Sequence, residues 1–252
     1  MKIIKKRNTG NISGIGIHLV ITAAIWLLIF SPLFSQDFPD STLLSVLEKA
    51  EKSYGPDPLL VSGEKYYYPY RSALGTPFLE HKDSDHALVK INGKTYRDQR
   101  IRYDLYNQLM VLEFKDGSGA FSSIILPLKL LEGVTIGDLV FKKFPMADGS
   151  VRIGQVLYEG WISCVCFWEK KYQFELYGGK QSFYFTDPER KRYVYMKGEL
   201  FPLRGKRSLL NILPDEMRSR VKSYLKKHRI RLRRASDKEI GSVMEFMNAY
   251  MD

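Results

Sequence analysis

His81, Asp83, Asp85 and His86 fall within the run His-Lys-Asp-Ser-Asp-His. Two imidazoles and two carboxylates are the nitrogen and oxygen ligands from which divalent-cation sites are made. Their spacing matches no metal motif such as His-Glu-x-x-His, and ligands drawn from one loop lose conformational freedom on binding. These four are the chain's best metal candidates, set against a plain solvated loop. No cofactor is expected.

Tyr66, Tyr67, Tyr68 and Tyr70 surround Pro69, and Tyr96, Tyr103 and Tyr106 follow. A phenol has an apolar face and one polar tip, so a cluster of them suits a sugar ring or a protein partner, and equally a half-buried strand. Tyr66, Tyr68 and Tyr70 are therefore candidate contact residues. A second candidate surface is basic. From Glu189 to Arg234 there are 16 Lys or Arg against four acidic residues, whereas the whole chain carries a formal charge of +11. Arg218, Lys222 and Lys226 would present that charge from a helix exterior, either to an anionic partner or simply to water.

Catalytic signatures are sparse. Past residue 35 the histidines are His81, His86 and His228, and no serine sits in a Gly-x-Ser-x-Gly turn, so nothing spells out a Ser-His-Asp triad. Carboxylate pairs such as Asp104 with Glu113 would be needed for glycoside cleavage, but their separation is a property of the fold. Cys164 and Cys166 are the only cysteines. On a strand they share a face, where an internal disulfide fits poorly, and core packing is the expectation.

What positions these groups begins after a leader. Lys2, Lys5, Lys6 and Arg7 precede Leu19 to Phe30, which is apolar apart from Thr22, and Ser31-Pro32-Leu33-Phe34-Ser35 follows. That order reads as a signal peptide over residues 1–35, with an uncleaved membrane anchor as the alternative. Either way the body is expected outside the cytoplasm, in the periplasm, at the cell surface or secreted. The membrane is a partner only if the leader is retained, and no nucleic acid partner is expected.

Residues 36–58 read as a short helical lead-in, with Leu43, Leu44, Leu47 and Ala50 as one stripe and Gly55-Pro56 as its stop. Residues 59–252 read as one β-rich domain. Short runs of Tyr, Val, Ile and Phe are punctuated by Asn92-Gly93, Asn107-Gln108, Asp116-Gly117, Asp148-Gly149 and Gly178-Gly179, each suited to a tight reversal. The tail, 208–252, turns helical: Met217, Val221, Tyr224 and Leu225 form one stripe after Pro214, and Ser236 with Glu239 forms a capping box ahead of Ile240, Val243, Met244 and Met247. The fold class is mainly β: an antiparallel meander, sandwich or open barrel, with two amphipathic C-terminal helices.

Gly63-Glu-Lys-Tyr-Tyr-Tyr-Pro-Tyr, Gly75-Thr-Pro-Phe, Val89-Lys-Ile-Asn-Gly-Lys-Thr-Tyr96 and Ile101-Arg-Tyr-Asp-Leu-Tyr106, with the tail from Leu209 to Tyr250, resemble uncharacterised secreted proteins of Bacteroidota. The resemblance implies an exported β-rich protein of a Gram-negative envelope and supplies no activity or site residues. The expectation is an exported, non-catalytic binding or structural module of the bacterial envelope, whose partner is an envelope protein, a polysaccharide or anionic lipid head groups. A hydrolase acting on envelope or extracellular polymers is the alternative.

Overall fold

Turn chemistry sets the frame. Asn92 and Gly93 have φ of 47° and 77°, and Lys197 and Gly198 have φ of 54° and 83°; paired left-handed residues of this kind reverse a hairpin in register with strand twist. The computed structural model describes residues 56–250 apart from Gly117 and residues 178–179. The leader and the lead-in up to Gly55 lie outside the described residues.

Thirteen strands follow in chain order: β1 Glu64–Lys65, β2 Ala87–Ile91, β3 Lys94–Asp104, β4 Leu109–Lys115, β5 Phe121–Ile125, β6 Leu131–Ile136, β7 Leu139–Pro145, β8 Val151–Tyr158, β9 Ile162–Glu169, β10 Tyr172–Tyr177, β11 Lys180–Phe185, β12 Glu189–Met196 and β13 Glu199–Pro202. Three helices follow among the described residues: α1 Lys206–Asn211, α2 Asp215–Lys227 and α3 Asp237–Asn248. Eleven strands form one open antiparallel sheet, ordered β1-β5-β4-β3-β2-β6-β7-β8-β9-β12-β13, while β10 and β11 form a separate hairpin. The protein is mainly β with C-terminal helices, and its sheet is not a closed barrel.

The long sheet rolls over on itself. Tyr103 on β3 donates its hydroxyl to the Ile153 carbonyl on β8 at 3.0 Å, and its ring meets Phe141 of β7 edge-on at 5.3 Å. Three strands stand between β3 and β8 in the order, which in a flat sheet would separate them by roughly 19 Å. Rolling buries Val89, Ile91, Ile101, Leu112, Val134 and Phe141 in a shared core.

The other end of the sheet is covered differently. Ile162, Cys164 and Val194 pack against Leu209, Val221, Leu225, Ile240, Val243 and Met244 from the helices. Alternation decides which strand residues face them and the helical repeat decides which helix residues answer. Helix α3 starts on the expected capping box: Ser236 Oγ accepts from the Glu239 amide at 3.3 Å, and the Glu239 carboxylate accepts from the Ser236 amide at 2.7 Å. The tail holds three helices, one more than its periodicity predicts, because α1 is a six-residue turn with only Leu209 and Leu210 buried.

Candidate binding surface

The hairpin β10–β11 has one aromatic face. Tyr172 pairs with Phe185 and Phe174 with Phe183, so alternation gathers these four rings and Leu176 on the same side. The face is covered at its base, where Phe185 is 8% exposed, and open farther out, where Phe183 is 37%, Phe174 46% and Leu176 63% exposed. The segment before β2 runs beside it: the Leu74 amide donates to the Phe183 carbonyl at 2.8 Å and the Leu74 carbonyl accepts from the Phe185 amide at 3.0 Å. That clamp lays the tyrosine-rich stretch along the hairpin.

The rings then form a continuous row. Tyr68 meets Tyr70 edge-on at 5.7 Å, and Tyr70 meets Tyr172 at 5.2 Å. Tyr172 stacks on Phe183 at 5.5 Å, and Phe183 meets Phe174 at 5.2 Å. Tyr106, from the turn between β3 and β4, flanks the row at 5.7 Å from Tyr70 and 6.0 Å from Tyr172. Spacings and tilts of this kind are those that aromatic quadrupoles favour.

A buried carboxylate holds the turn that carries Tyr106. Asp104 is fully buried and accepts from the Tyr66 hydroxyl at 2.9 Å, the Tyr106 amide at 3.0 Å, and the Asn107 amide and side-chain amide at 2.8 Å each. Four donors offset the desolvation of the charge. Burial, and then the Asp104 charge, pushes the Tyr66 phenol well above its ordinary range. Tyr66 is thus an anchor beneath the surface, whereas Tyr68 is part of it.

Beside Tyr106 lies a cleft of about 470 Å³ walled by Leu105, Gln108, Arg152, Lys170 and Tyr172. Gln108 accepts from Arg152 at 3.0 Å and donates to the Trp168 carbonyl at 2.9 Å. Lys170 donates to the Thr76 carbonyl at 2.8 Å, and burial pulls its ammonium below the ordinary lysine range. The whole is an apolar strip with a polar, partly cationic border, the layout of protein contact surfaces.

The structure places the other candidates elsewhere. Residues Lys82–His86 form a 3₁₀ turn whose cap, His81 Nδ1, accepts from the Asp83 amide at 3.2 Å. Asp85 is committed to Arg100, at 3.1 and 2.9 Å, and to Arg102 at 3.1 Å, while His86 faces Asp98 at 3.4 Å. His81 Nδ1 and the Asp83 carboxylate stay within 3.8 Å of each other, but Asp85 and His86 are turned to other partners, so the four do not converge. Among the described residues no group of three or more His, Cys, Asp or Glu side chains is placed to hold a metal ion. Glu113 leans on Arg102 at 3.5 Å and Asp104 is saturated, so the two carboxylates do structural work in separate places.

The basic trio divides. Lys222 and Lys226 are exposed on α2, but Arg218 donates from Nε to the Leu210 and Leu213 carbonyls at 2.8 Å each and from Nη1 to Asp215 at 2.6 Å. Arg218 thereby closes the end of α1. Farther up the basic stretch, Arg190 and Arg192 both reach Asp237 at the start of α3. Tyr106 belongs to the tyrosine cluster that the sequence shows, whereas Tyr172, Phe174 and Phe183 are the surface residues that the sequence reading missed; the alternation in Tyr172–Phe185 was the available signal.

No family model, curated protein or solved structure matches the chain. Among the described residues no helix is long and apolar enough to cross a membrane.

Proposed function

We propose that the protein is an exported, non-catalytic binding module of the bacterial envelope, and that its partner is another protein docking on the Tyr68–Phe174 row. The observation that carries this reading is the open end of the hairpin: Phe174, Leu176 and Phe183 are exposed together on one face. Large aromatic side chains supply contact area at little entropic cost and dominate protein interfaces. At its open end the strip offers only Phe174, Leu176 and Phe183, side chains with no group to pair with a sugar hydroxyl, and the polar groups of Gln108, Arg152 and Lys170 lie at its border. Export is supported by the cationic start and apolar run of residues 1–35.

The test is a photo-crosslinking residue in place of Phe174 in the full chain, expressed in cells whose envelope and cytosol are then separated. A discrete protein adduct in the envelope fraction, weakened by Tyr106→Ala and unchanged in high salt, is expected. Cytosolic protein would overturn export. Absence of any adduct, or capture of saccharide alone, would overturn the protein partner.

A further inference from the structure

β10 bonds to β11 alone, in a register that pairs Gln173 with Tyr184 and Glu175 with Ser182. On β11 the Phe185 amide and the Phe183 carbonyl turn away from β10, since both bond to Leu74. Ser182 and Tyr184 therefore supply the hairpin's own ladder with Glu175 and Gln173, and Tyr172, Phe174 and Leu176 aim their amides and carbonyls outward. Among the described residues none of those backbone groups has a hydrogen-bond partner. Strand edges are normally blunted by shortness, Lys, Pro or a bulge. The large sheet ends that way, in the four-residue β13 that finishes at Pro202. β10 is Tyr-Gln-Phe-Glu-Leu-Tyr and has none of these devices.

One end of this edge meets the cleft of about 470 Å³. Tyr172 and Gln173 both line it, and because neighbouring side chains take opposite faces of a strand, the cleft lies off the edge of β10 and not under one face. Of its charged side chains, Glu169 pairs with Lys191 and Lys171 with Glu189. Arg152 and Lys170 are half-buried and hydrogen-bond only to neutral oxygens, of Gln108 and Thr76. Glu80 and Asp187 act on Lys170 from farther off, so among the described residues neither cation has an acidic partner in contact.

We propose that the partner adds an antiparallel strand to the outer edge of β10 and sets a carboxylate at that strand's C-terminal end on Arg152 and Lys170. This rests on the reading of the aromatic row as a protein-docking surface. The edge selects polypeptide: its donors and acceptors repeat every second residue, roughly 7 Å apart, and another extended backbone matches that repeat. The cations select direction. β10 leads away from the cleft, so only an antiparallel strand brings its C-terminal end there. Alternate side chains of the added strand then lie beside Tyr172, Phe174 and Leu176. Salt should weaken the contact little, because partly buried charges are poorly screened.

Selection of short random peptides, displayed with free C-termini, on the purified full chain tests the assignment. The strongest binder is then synthesised as the free acid, as the C-terminal amide, and as the amide with Glu in the last position. The free acid should bind about tenfold more tightly than the amide, as gain of a charge-assisted hydrogen bond does. Recovery of affinity by the Glu peptide would assign the carboxylate to a side chain, and no recovery to a chain terminus. Arg152→Gln and Lys170→Gln should each shrink the difference between acid and amide. N-methylation of alternate peptide amides should abolish binding in one phase and spare it in the other, since only every second amide faces β10. Leu176→Pro deletes an outward amide that bonds nothing within the protein; it should weaken binding about tenfold beyond Leu176→Ala, with the melting temperature unchanged. Equal tolerance of N-methylation in both phases would overturn strand addition, as would failure to recover any peptide. An acid-to-amide difference that survives both Gln variants would overturn the cleft contact. Crosslinking at Phe174 reports separately. An envelope adduct without edge-dependent peptide binding would keep the protein partner and remove the added strand, and edge-dependent binding without an adduct would do the reverse.

Discussion

The Tyr66 hydroxyl donates to the Asp104 carboxylate across 2.9 Å, joining the start of the tyrosine-rich segment to a turn 38 residues later in the chain. The same carboxylate accepts from the Tyr106 and Asn107 amides. One buried charge therefore sets both sides of the aromatic row, Tyr68 and Tyr70 on one strip of backbone and Tyr106 on the other.

Tyr66→Phe removes one donor and leaves Asp104 three others. A hydrogen bond to a charged acceptor contributes about 1.5 kcal/mol net, and a loss of that order is expected in denaturant titration at neutral pH. The alkaline limb supplies a second reading. In the native state burial and the Asp104 charge raise the Tyr66 phenol above its ordinary value of 10.0. The unfolded chain thus loses this proton first, and stability conferred by Tyr66 is intact below about pH 10 and falls as pH rises beyond it. The gap between wild type and Tyr66→Phe should narrow on going above about pH 10. A constant gap would place the phenol in solvent.

Surface and core tyrosines should separate by melting temperature. Tyr68→Ala and Phe174→Ser change exposed positions, and their effect should stay within about 1 kcal/mol. Phe185→Ala, at the covered base of the same hairpin, should cost about 3 kcal/mol. A large loss from Tyr68→Ala would make the row a core element instead of a contact surface.

Local signals in the sequence located what local physics decides. Asn92-Gly93 and Asp148-Gly149 marked their turns because positive φ and side-chain self-bonding are properties of single residues, and β2 and β8 were bounded accordingly at Ala87–Ile91 and Val151–Tyr158. Ser236 and Glu239 announced α3 for the same reason. The roll of the sheet was not legible, since it depends on Tyr103 finding a carbonyl 50 residues away. Half of the aromatic row was hidden likewise: Tyr68 and Tyr70 stood out as a cluster, but only the hairpin register brings Tyr172 and Phe183 to them. The His81–His86 run looked like a ligand set because spacing does not reveal that Arg100 and Arg102 claim Asp85.

The two thiols should be inert in the native protein. Burial, with a contribution from Cys166, pushes the Cys164 thiol up to about 12, and burial also raises Cys166; both side chains are inaccessible. Alkylation by iodoacetamide near neutral pH requires the thiolate. Mass spectrometry should find both cysteines unmodified until denaturant is added, then both modified. Rapid labelling of the folded chain would mean that the helical layer opens readily over β9.

Helix α3 is fastened to β9 by one carboxamide. Asn248 Oδ1 accepts from the Ile162 amide at 3.0 Å, and Nδ2 donates to the Ile162 and Met244 carbonyls at 2.9 and 2.8 Å. The side chain thus satisfies both backbone groups at the start of the strand, and Asn248→Ala should cost about 2 kcal/mol by leaving them without partners. Gly160 leaves room for it: a Cβ there would lie 2.7 Å from Asn248 Oδ1. Gly160→Ala should therefore dislodge the same carboxamide. Because both changes act through one interaction, the double variant should lose little more than the worse single variant. Additive losses in chemical denaturation would show that Gly160 serves the turn by some route independent of Asn248.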